Sequence, residues 1–373
     1  MRLFAGASRA RTPSGSGTRC ALPGTGFLPM EDRVVSQSNS LEIRVPRALV
    51  RALALAAGLA LAGGASAKTL RVTSQLPPSH PITANLMAFK DKVEKASGGD
   101  LTIDVFHSAQ LHKDSEVPQA VASGAIDMGA ASLTRFAGTI PAVDLFYVPF
   151  LLPSEKIALK AAAKGSPIRG PLDDAILATG ARVLWWQSLG NSVFMSKEPI
   201  SKPADVKGKK VRVFGKTLGK FVEVLGGAPA LISGSEQFIA YQRGTVDAGM
   251  STPAAIKSRK MNEVLNHVTL TNHASVWFVV LVNEKVWQGL TDAQRKLIDD
   301  AGKEVEAELA NSIQKKNDDV IAWVRKETKM NVIEQSAQQI AAWQKASQPV
   351  IDIYLESAGD LGRQLVEAAG KLK

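Results

Sequence analysis

The chain has 373 residues, with 45 Lys+Arg against 35 Asp+Glu, five histidines and one cysteine, for a formal net charge of +10. Eight of the arginines, three acidic residues and the cysteine, Cys20, lie within residues 1–67, so the remainder carries +5 and no thiol. Beyond residue 67 this excludes disulfides, thiol catalysis and Cys-ligated zinc. Without a basic run or interleaved aromatics, it also argues against nucleic-acid binding.

Residues 1–43 are rich in Gly, Ser, Pro and Thr and show no periodicity, so they are expected to be disordered or not translated at all, with Val45 as an alternative start. Arg44, Arg47 and Arg51 then precede the apolar run Ala52 to Ala62 and the small triplet Ala65-Ser66-Ala67. That order predicts a signal peptide over 44–67, cleaved after Ala67 to give a periplasmic protein. The run is too short to span a bilayer, which takes about 20 apolar residues.

Leu70 to Ser74 reads as a buried strand. The turn Pro77-Pro78-Ser79-His80-Pro81 opens a helix, Ile82 to Ser97, capped by Ser79 or His80 with Pro81 in its first turn and closed by Gly98-Gly99. Leu101 to Phe106 alternates as a second strand, Glu116 to Ser123 is a short helix, and Ala125 to Ala131 a third strand. This β-α-β-α-β order predicts an α/β sheet with helices on its faces. The pattern recurs: residues 99–106 resemble 208–214, and Gly124-Ala125-Ile126-Asp127-Met128-Gly129 resembles Gly244-Thr245-Val246-Asp247-Ala248-Gly249. A second α/β lobe built like the first is the expectation. Ser233 and Glu236 fit a capping box, which gives Glu236 a structural role. Val276 to Val282 is a continuous apolar strand. Thr291 to Gln294 caps a helical pattern running to about Lys326, roughly 50 Å long. Ala337 to Leu372 reads as further amphipathic helix.

Catalysis and metal binding find no support. The histidines His80, His107, His112, His267 and His273 form no ligand-spaced pair, and no nucleophile elbow or phosphate loop follows a strand. Neither a cofactor nor a metal is expected. Arg212 stands apart: it lies in the strand-like run Lys210-Val211-Arg212-Val213-Phe214 and points away from the face that Val211 and Val213 share. A guanidinium there can hold a carboxylate through two parallel hydrogen bonds. Trp185-Trp186, Phe146-Tyr147 and Phe214 fall at strand ends, where open α/β sheets bind ligands.

Several segments together carry a family resemblance: Phe89 to Phe106, Ala120 to Ser132, Asp144 to Phe150, Pro199-Ile200, Ala204 to Val213, Arg243 to Met250 and Val282 to Trp287. The chain resembles the DctP-like solute-binding proteins of tripartite ATP-independent periplasmic (TRAP) transporters. The resemblance implies a two-lobed, periplasmic-binding-protein-like α/β fold with hinge strands and a long helix spanning both lobes. Lobe I would comprise residues 68–190 and 277–318, and lobe II residues 191–276 and 319–373. It implies a small-molecule carboxylate paired with Arg212 between the lobes, and delivery of that ligand to integral-membrane TRAP permease subunits. The binding subunit of another importer or of a sensor kinase is the alternative, and a secreted enzyme a more distant one. The candidate ligand-binding set is Arg212, Phe214, Trp186, Asn191, Ser192, Gln75, His80, Ser132, Ser251 and His273.

Two departures bear on the ligand. Ser192 stands where many members carry a second arginine. Gly234 and Ser251-Thr252 replace an aromatic and an asparagine of the sialic-acid binders. A second cation is thus expected to be missing, which favours a monocarboxylate with an apolar or aromatic body beside Trp185, Trp186 and Phe214.

Overall fold

The computed structural model of the protein describes residues 67–372. The disordered or untranslated stretch expected at 1–43 and, apart from its last residue, the signal peptide expected at 44–67 lie outside them. The first strands and helices are β1 (Lys68–Ser74), α1 (Pro81–Ser97), β2 (Leu101–Phe106), α2 (Val117–Ser123), β3 (Met128–Ser132), α3 (Glu155–Ala162), α4 (Arg169–Leu177) and β4 (Ala181–Asn191). They are followed by β5 (Val193–Ser196), β6 (Lys210–Val213), α5 (Lys216–Val224), β7 (Ala228–Leu231), α6 (Gln237–Gln242), β8 (Ala248–Ser251), α7 (Ala254–Ser258) and β9 (His267–Thr269). The chain ends with β10 (Ser275–Asn283), α8 (Glu284–Gln288), α9 (Asp292–Glu327), β11 (Asn331–Ile333), α10 (Ala337–Ser347) and α11 (Pro349–Gly370).

Two sheets divide these strands, in the orders β2-β1-β3-β10-β4 and β11-β9-β5-β8-β6-β7. Each defines one lobe of a two-lobed α/β fold. In the first, β1 runs parallel to β2 and β3, and β10 is inserted antiparallel between β3 and β4. The second repeats that plan, with β6 parallel to β7 and β8, and β5 antiparallel to β8. The two Gly-x-x-Asp-x-Gly turns do the same work in each lobe. Asp127 Oδ2 accepts from the Arg71 N–H at 2.9 Å, and Asp247 Oδ2 from the Lys210 N–H at 2.8 Å. Both carboxylates thereby bond the backbone of a central strand, β1 at its middle and β6 at its start. The other expected repeat needs correction: β6 holds the place of β1, not of β2, so residues 99–106 and 208–214 are alike only as alternating strands after a glycine.

Local signals placed most elements. His80 Nδ1 accepts from the Ile82 N–H and caps α1, and Thr291 and Gln294 form the reciprocal cap of α9. The proposed box at Ser233 is absent. Ser233 caps only the 3₁₀ turn Gly234–Glu236, without a side-chain hydrogen bond, and Glu236 instead pairs with Lys113 of lobe I at 2.8 Å.

The chain crosses between lobes at Ser192, linking β4 to β5, and at 270–274, linking β9 to β10. Helix α9, 36 residues and about 54 Å long, packs on β4 and α1 and then on α7 and β11, so it braces both lobes. Within it the buried Asn317 donates to Leu189 O at 2.9 Å and accepts from the Ala254 N–H at 3.0 Å, tying a hinge strand to lobe II. Helix α11, bent at Gly359, packs on residues 141–147 of lobe I as well as on α5, and Tyr354 Oη donates to Ala142 O at 3.1 Å. It bridges the lobes because its apolar face matches a seam that both supply.

Asp144 sits at that seam. Its Oδ2 accepts from the Thr217 N–H at 3.1 Å, at the start of α5 in the other lobe. Burial, partly offset by the bonds from Thr217 and by Lys216, pushes its carboxyl from 3.8 up to about 6. The folded state therefore favours the protonated acid. Its contribution is present in full below pH 3.8 and is lost as pH rises through about 6. Denaturant unfolding between pH 4 and 7.5 should show a loss of up to about 3 kcal/mol from this group, and Asp144→Asn should remove it. An unchanged pH profile in the variant would assign the loss elsewhere.

Candidate functional site

Arg212 is the middle of a strand flanked by the fully buried Val211 and the nearly buried Val213, and is itself only 3 % exposed. It points to the lobe boundary because residue 249, its partner on β8, is glycine. A Cβ there would stand 2.9 Å from Arg212 Cβ and 1.9 Å from Tyr241 Oη. Two of the five N–H groups are used: Nε donates to Ile232 O at 2.9 Å and Nη1 to Met250 O at 2.7 Å. These bonds fix the fork and leave the rest of its edge free. The guanidinium lies 5.3 Å from the centre of the Phe214 ring, and that ring meets Tyr147 edge-on.

The free edge of Arg212 faces a cavity between the lobes. Lobe I contributes Gln75, Leu76, His80, Asp114 and Ser132; lobe II contributes Phe214, Gly234, Ser251, Thr252 and Arg259; Leu189, Val276 and Phe278 come from the crossing strands β4 and β10. Its atom-free space is about 370 Å³, part of it open to solvent. An occupant must therefore be small.

The cavity is lined mainly by donors. His80 Nδ1 already accepts from Ile82, so the ring proton resides on Nε2. That nitrogen is buried without a partner. Burial first, and the charge of Arg259 second, hold the imidazole well below the usual histidine pKa, so it is a neutral donor at pH 7. Thr252 Oγ1 is likewise buried and unpaired. Ser132 Oγ lies 2.9 Å from Thr134 Oγ1, and Thr134 donates across the lobe boundary to Phe214 O at 2.7 Å. Gln75 Oε1 accepts from the Ser235 N–H of lobe II at 3.1 Å. The one carboxylate, Asp114, is committed to the Ser132 N–H at 2.9 Å and to Arg135 at 2.5 Å.

Two arginines remain. Arg259 donates to Gly234 O, Gln237 Oε1 and Ser251 Oγ. Neither Arg212 nor Arg259 forms an ion pair with a carboxylate among the described residues. Burial is the main reason both are less basic than usual, Arg212 at about 10 and Arg259 at about 9, and each stays charged at pH 7.

Of the ten residues singled out from sequence, the structure brings Arg212, Phe214, Gln75, His80, Ser132 and Ser251 to this cavity. It does not bring the other four. Trp186 is locked in the core of lobe I, its Nε1 donating to Asp173 at 2.8 Å and its ring beneath Arg169. Asn191 lines a separate groove beside α9 with Gln314 and Asn317. Ser192 is fully buried in the crossing segment, with its backbone bonded to residues 273 and 274. His273 bonds Thr271 and packs on Phe194 and Phe221, and burial lowers its pKa to about 3. Sequence reasoning missed Arg259 and Asp114. Ser258-Arg259-Lys260 reads as a solvated basic run, and only the short α7 after β8 turns its middle residue inward. The missing second cation is thus corrected: Arg259 supplies one from a different element. The apolar body proposed beside Trp185 and Trp186 loses its place, since both rings lie in the lobe I core. Among the described residues, no cluster of side chains could hold a metal ion and no helix is long and apolar enough to cross a membrane.

Comparison with known proteins agrees with this architecture. Residues 72–357 match the family described as bacterial extracellular solute-binding protein, family 7. The C4-dicarboxylate-binding periplasmic protein DctP of Rhodobacter capsulatus is 29% identical over 329 residues, covering 87% of this chain and 98% of its own. A TRAP periplasmic solute-binding protein from Sulfurospirillum deleyianum, solved with bound succinate, superposes with a TM-score of 0.77 at 24% identity, over 82% of this chain and 99% of its own. DctP7 of Bordetella pertussis, a receptor binding pyroglutamic acid, gives 0.77 at 22% identity, over 82% and 100%. The two structural likenesses concern the fold.

Gly249→Ala tests the close approach that frames Arg212. The added methyl forces Tyr241 and Arg212 apart and should cost about 1–3 kcal/mol, read as a fall of a few degrees in melting temperature. A variant that melts with the wild type would show that the two side chains yield freely.

Proposed function

As the chain belongs to the bacterial extracellular solute-binding proteins of family 7, we propose that it is a periplasmic receptor that binds a small organic acid between its lobes. It delivers that acid to a membrane permease of the TRAP type. The observation that carries the reading is the buried guanidinium of Arg212, held by two backbone carbonyls and lacking a carboxylate partner. A buried charge without a counterion is costly, and a ligand carboxylate removes that cost while gaining paired, charge-assisted hydrogen bonds. Ligands named for the relatives, C4-dicarboxylates, succinate and pyroglutamic acid, all carry the group this site lacks. Export would proceed by removal of residues 44–67, with Lys68 as the first residue of the working receptor.

Binding and closure are one event in this account. Arg212 and Phe214 belong to lobe II, His80 and Ser132 to lobe I, and Thr134–Phe214, Gln75–Ser235 and Lys113–Glu236 join the lobes around them. A ligand that touches both walls stabilises the closed arrangement by its differential affinity for that state. The closed surface is what a permease can read.

Arg212→Ala is the direct test. Truncating one partner of a buried charge pair costs about 2–5 kcal/mol, a loss of roughly thirtyfold to several thousandfold. Calorimetric titration with a carboxylate that binds the wild type should therefore show no measurable heat of binding. Affinity within threefold of wild type would refute the carboxylate reading.

A further inference from the structure

Helix α5 begins without a cap of its own. Its N-cap position is Gly215, which offers no side chain to the N–H groups of the first turn. The cap comes instead from the other lobe. Asp144, in the 3₁₀ turn Pro141–Tyr147 of lobe I, accepts from the Thr217 N–H at 3.1 Å through Oδ2. Thr217 is the second residue of the helix, a position that a capping side chain ordinarily serves. The same stretch is held at another point, where Thr134 donates to Phe214 O at 2.7 Å. Between these bonds the lobes meet closely at Gly215: a Cβ there would stand 2.8 Å from Thr134 Cγ2 and 3.8 Å from Asp144 Oδ1. Residues 214–217 leave directly from the strand of Arg212, and Phe214 lines the cavity. One short segment of lobe II thus serves both the candidate ligand site and the seam.

The capping carboxyl is poorly provided for as an anion. Asp144 is 2 % exposed, and its Oδ1 is buried without a partner. From α5 it feels Lys216, whose side chain lies in solvent. Tyr147 on its own turn and Tyr354 on α11 also face it, and burial raises both well above the usual tyrosine range, so they are neutral. The other charged residues near it on α11, Asp352 and Glu356, are exposed. The neighbouring turn Leu133–Phe136 brings Arg135, which is committed to Asp114, and β10 carries no titratable side chain.

Going beyond the carboxylate reading of Arg212, we infer that Asp144 is a latch supplied in trans, which closes the lobes over the cavity and ties that closure to the uptake of a proton. Opening withdraws the Thr217 N–H and admits water to the carboxyl, which then titrates in the ordinary aspartate range. Closing returns it to the seam, where burial raises it from 3.8 to about 6. Between those two values closure moves one proton from solvent onto Asp144. The closed form gains from this at low pH and loses the gain as pH rises through about 6.

The test needs no ligand. Beyond residue 67 the chain has no cysteine, so spin labels can be placed at Leu111→Cys and Ile239→Cys, exposed positions of opposite lobes in the segments that carry the Lys113–Glu236 pair. Electron-spin distance measurement on the ligand-free protein then counts closed and open forms. From pH 7.5 to pH 5 the closed-to-open ratio should rise about tenfold. Asp144→Asn, neutral and of the same shape, should show the high ratio at both pH values. Gly215→Ala, whose methyl wedges the seam, should lower the ratio at both while preserving its dependence on pH. A wild-type ratio that stays within twofold, or a single distance at every pH, overturns the inference. So does an Asp144→Asn that follows pH as the wild type does, or a Gly215→Ala that closes as readily as the wild type. Failure of the carboxylate reading looks different: it shows in the titration of Arg212→Ala and leaves these ratios unmoved.

Discussion

A buried guanidinium that forms no ion pair with a carboxylate among the described residues is the constraint on which this structure turns. Lobe II spends the middle of its sheet on Arg212, clears space for it with Gly249, and fixes its plane with the carbonyls of Ile232 and Met250. None of this makes sense as packing, where an apolar side chain at the same position would cost less. It does make sense as a preformed half of an ion pair. The rest of the molecule can be read as the device that brings the other walls to that half, excludes water, and couples the meeting to a change of shape.

The contacts between lobes suit such a device. Thr134 to Phe214, Asp144 to Thr217, Gln75 to Ser235 and Lys113 to Glu236 are single polar links, worth about 1 kcal/mol each, or about 1.5–3 kcal/mol for Asp144 when ionised. Their sum stays below the roughly 8 kcal/mol of a micromolar ligand, so a ligand can decide the equilibrium between open and closed forms. Continuous elements limit the motion instead. Helix α9 runs behind both lobes, Asn317 stitches β4 to α7, and α11 lies across the seam at residues 141–147. These are attachments that a hinge bends about, while the polar links are those that it breaks.

Much of this architecture was legible in the sequence because its signals are local. Glycines after α1 and α2, the Thr291 cap and the apolar run of β10 each identify an element without reference to anything distant. The turns at Asp127 and Asp247 also disclosed the doubled plan, since each carboxylate bonds a backbone N–H of its lobe's central strand. Matching 99–106 to 208–214 failed for the converse reason: alternation marks a strand but not its place in a sheet. The site was legible where a strand displayed an anomaly, as at Arg212, or where a turn set the residue, as at His80. Arg259 was not, since its inward turn depends on the length of α7 and on the absence of a side chain at 234, both tertiary facts. Trp186 and His273 failed in the other direction. Aromatic and imidazole rings serve cores as readily as clefts, and only burial partners such as Asp173 and Thr271 tell which.

If the cavity is built for an anion, a thermal-shift screen of the purified protein against organic acids, amines and neutral sugars will reveal it. A ligand at a hundredfold over its dissociation constant adds about 2.7 kcal/mol, a shift of a few degrees for a chain of this size. Carboxylates alone should stabilise the protein. Stabilisation by amines or neutral sugars, with none by any acid, would contradict it and return Arg212 to a purely structural role.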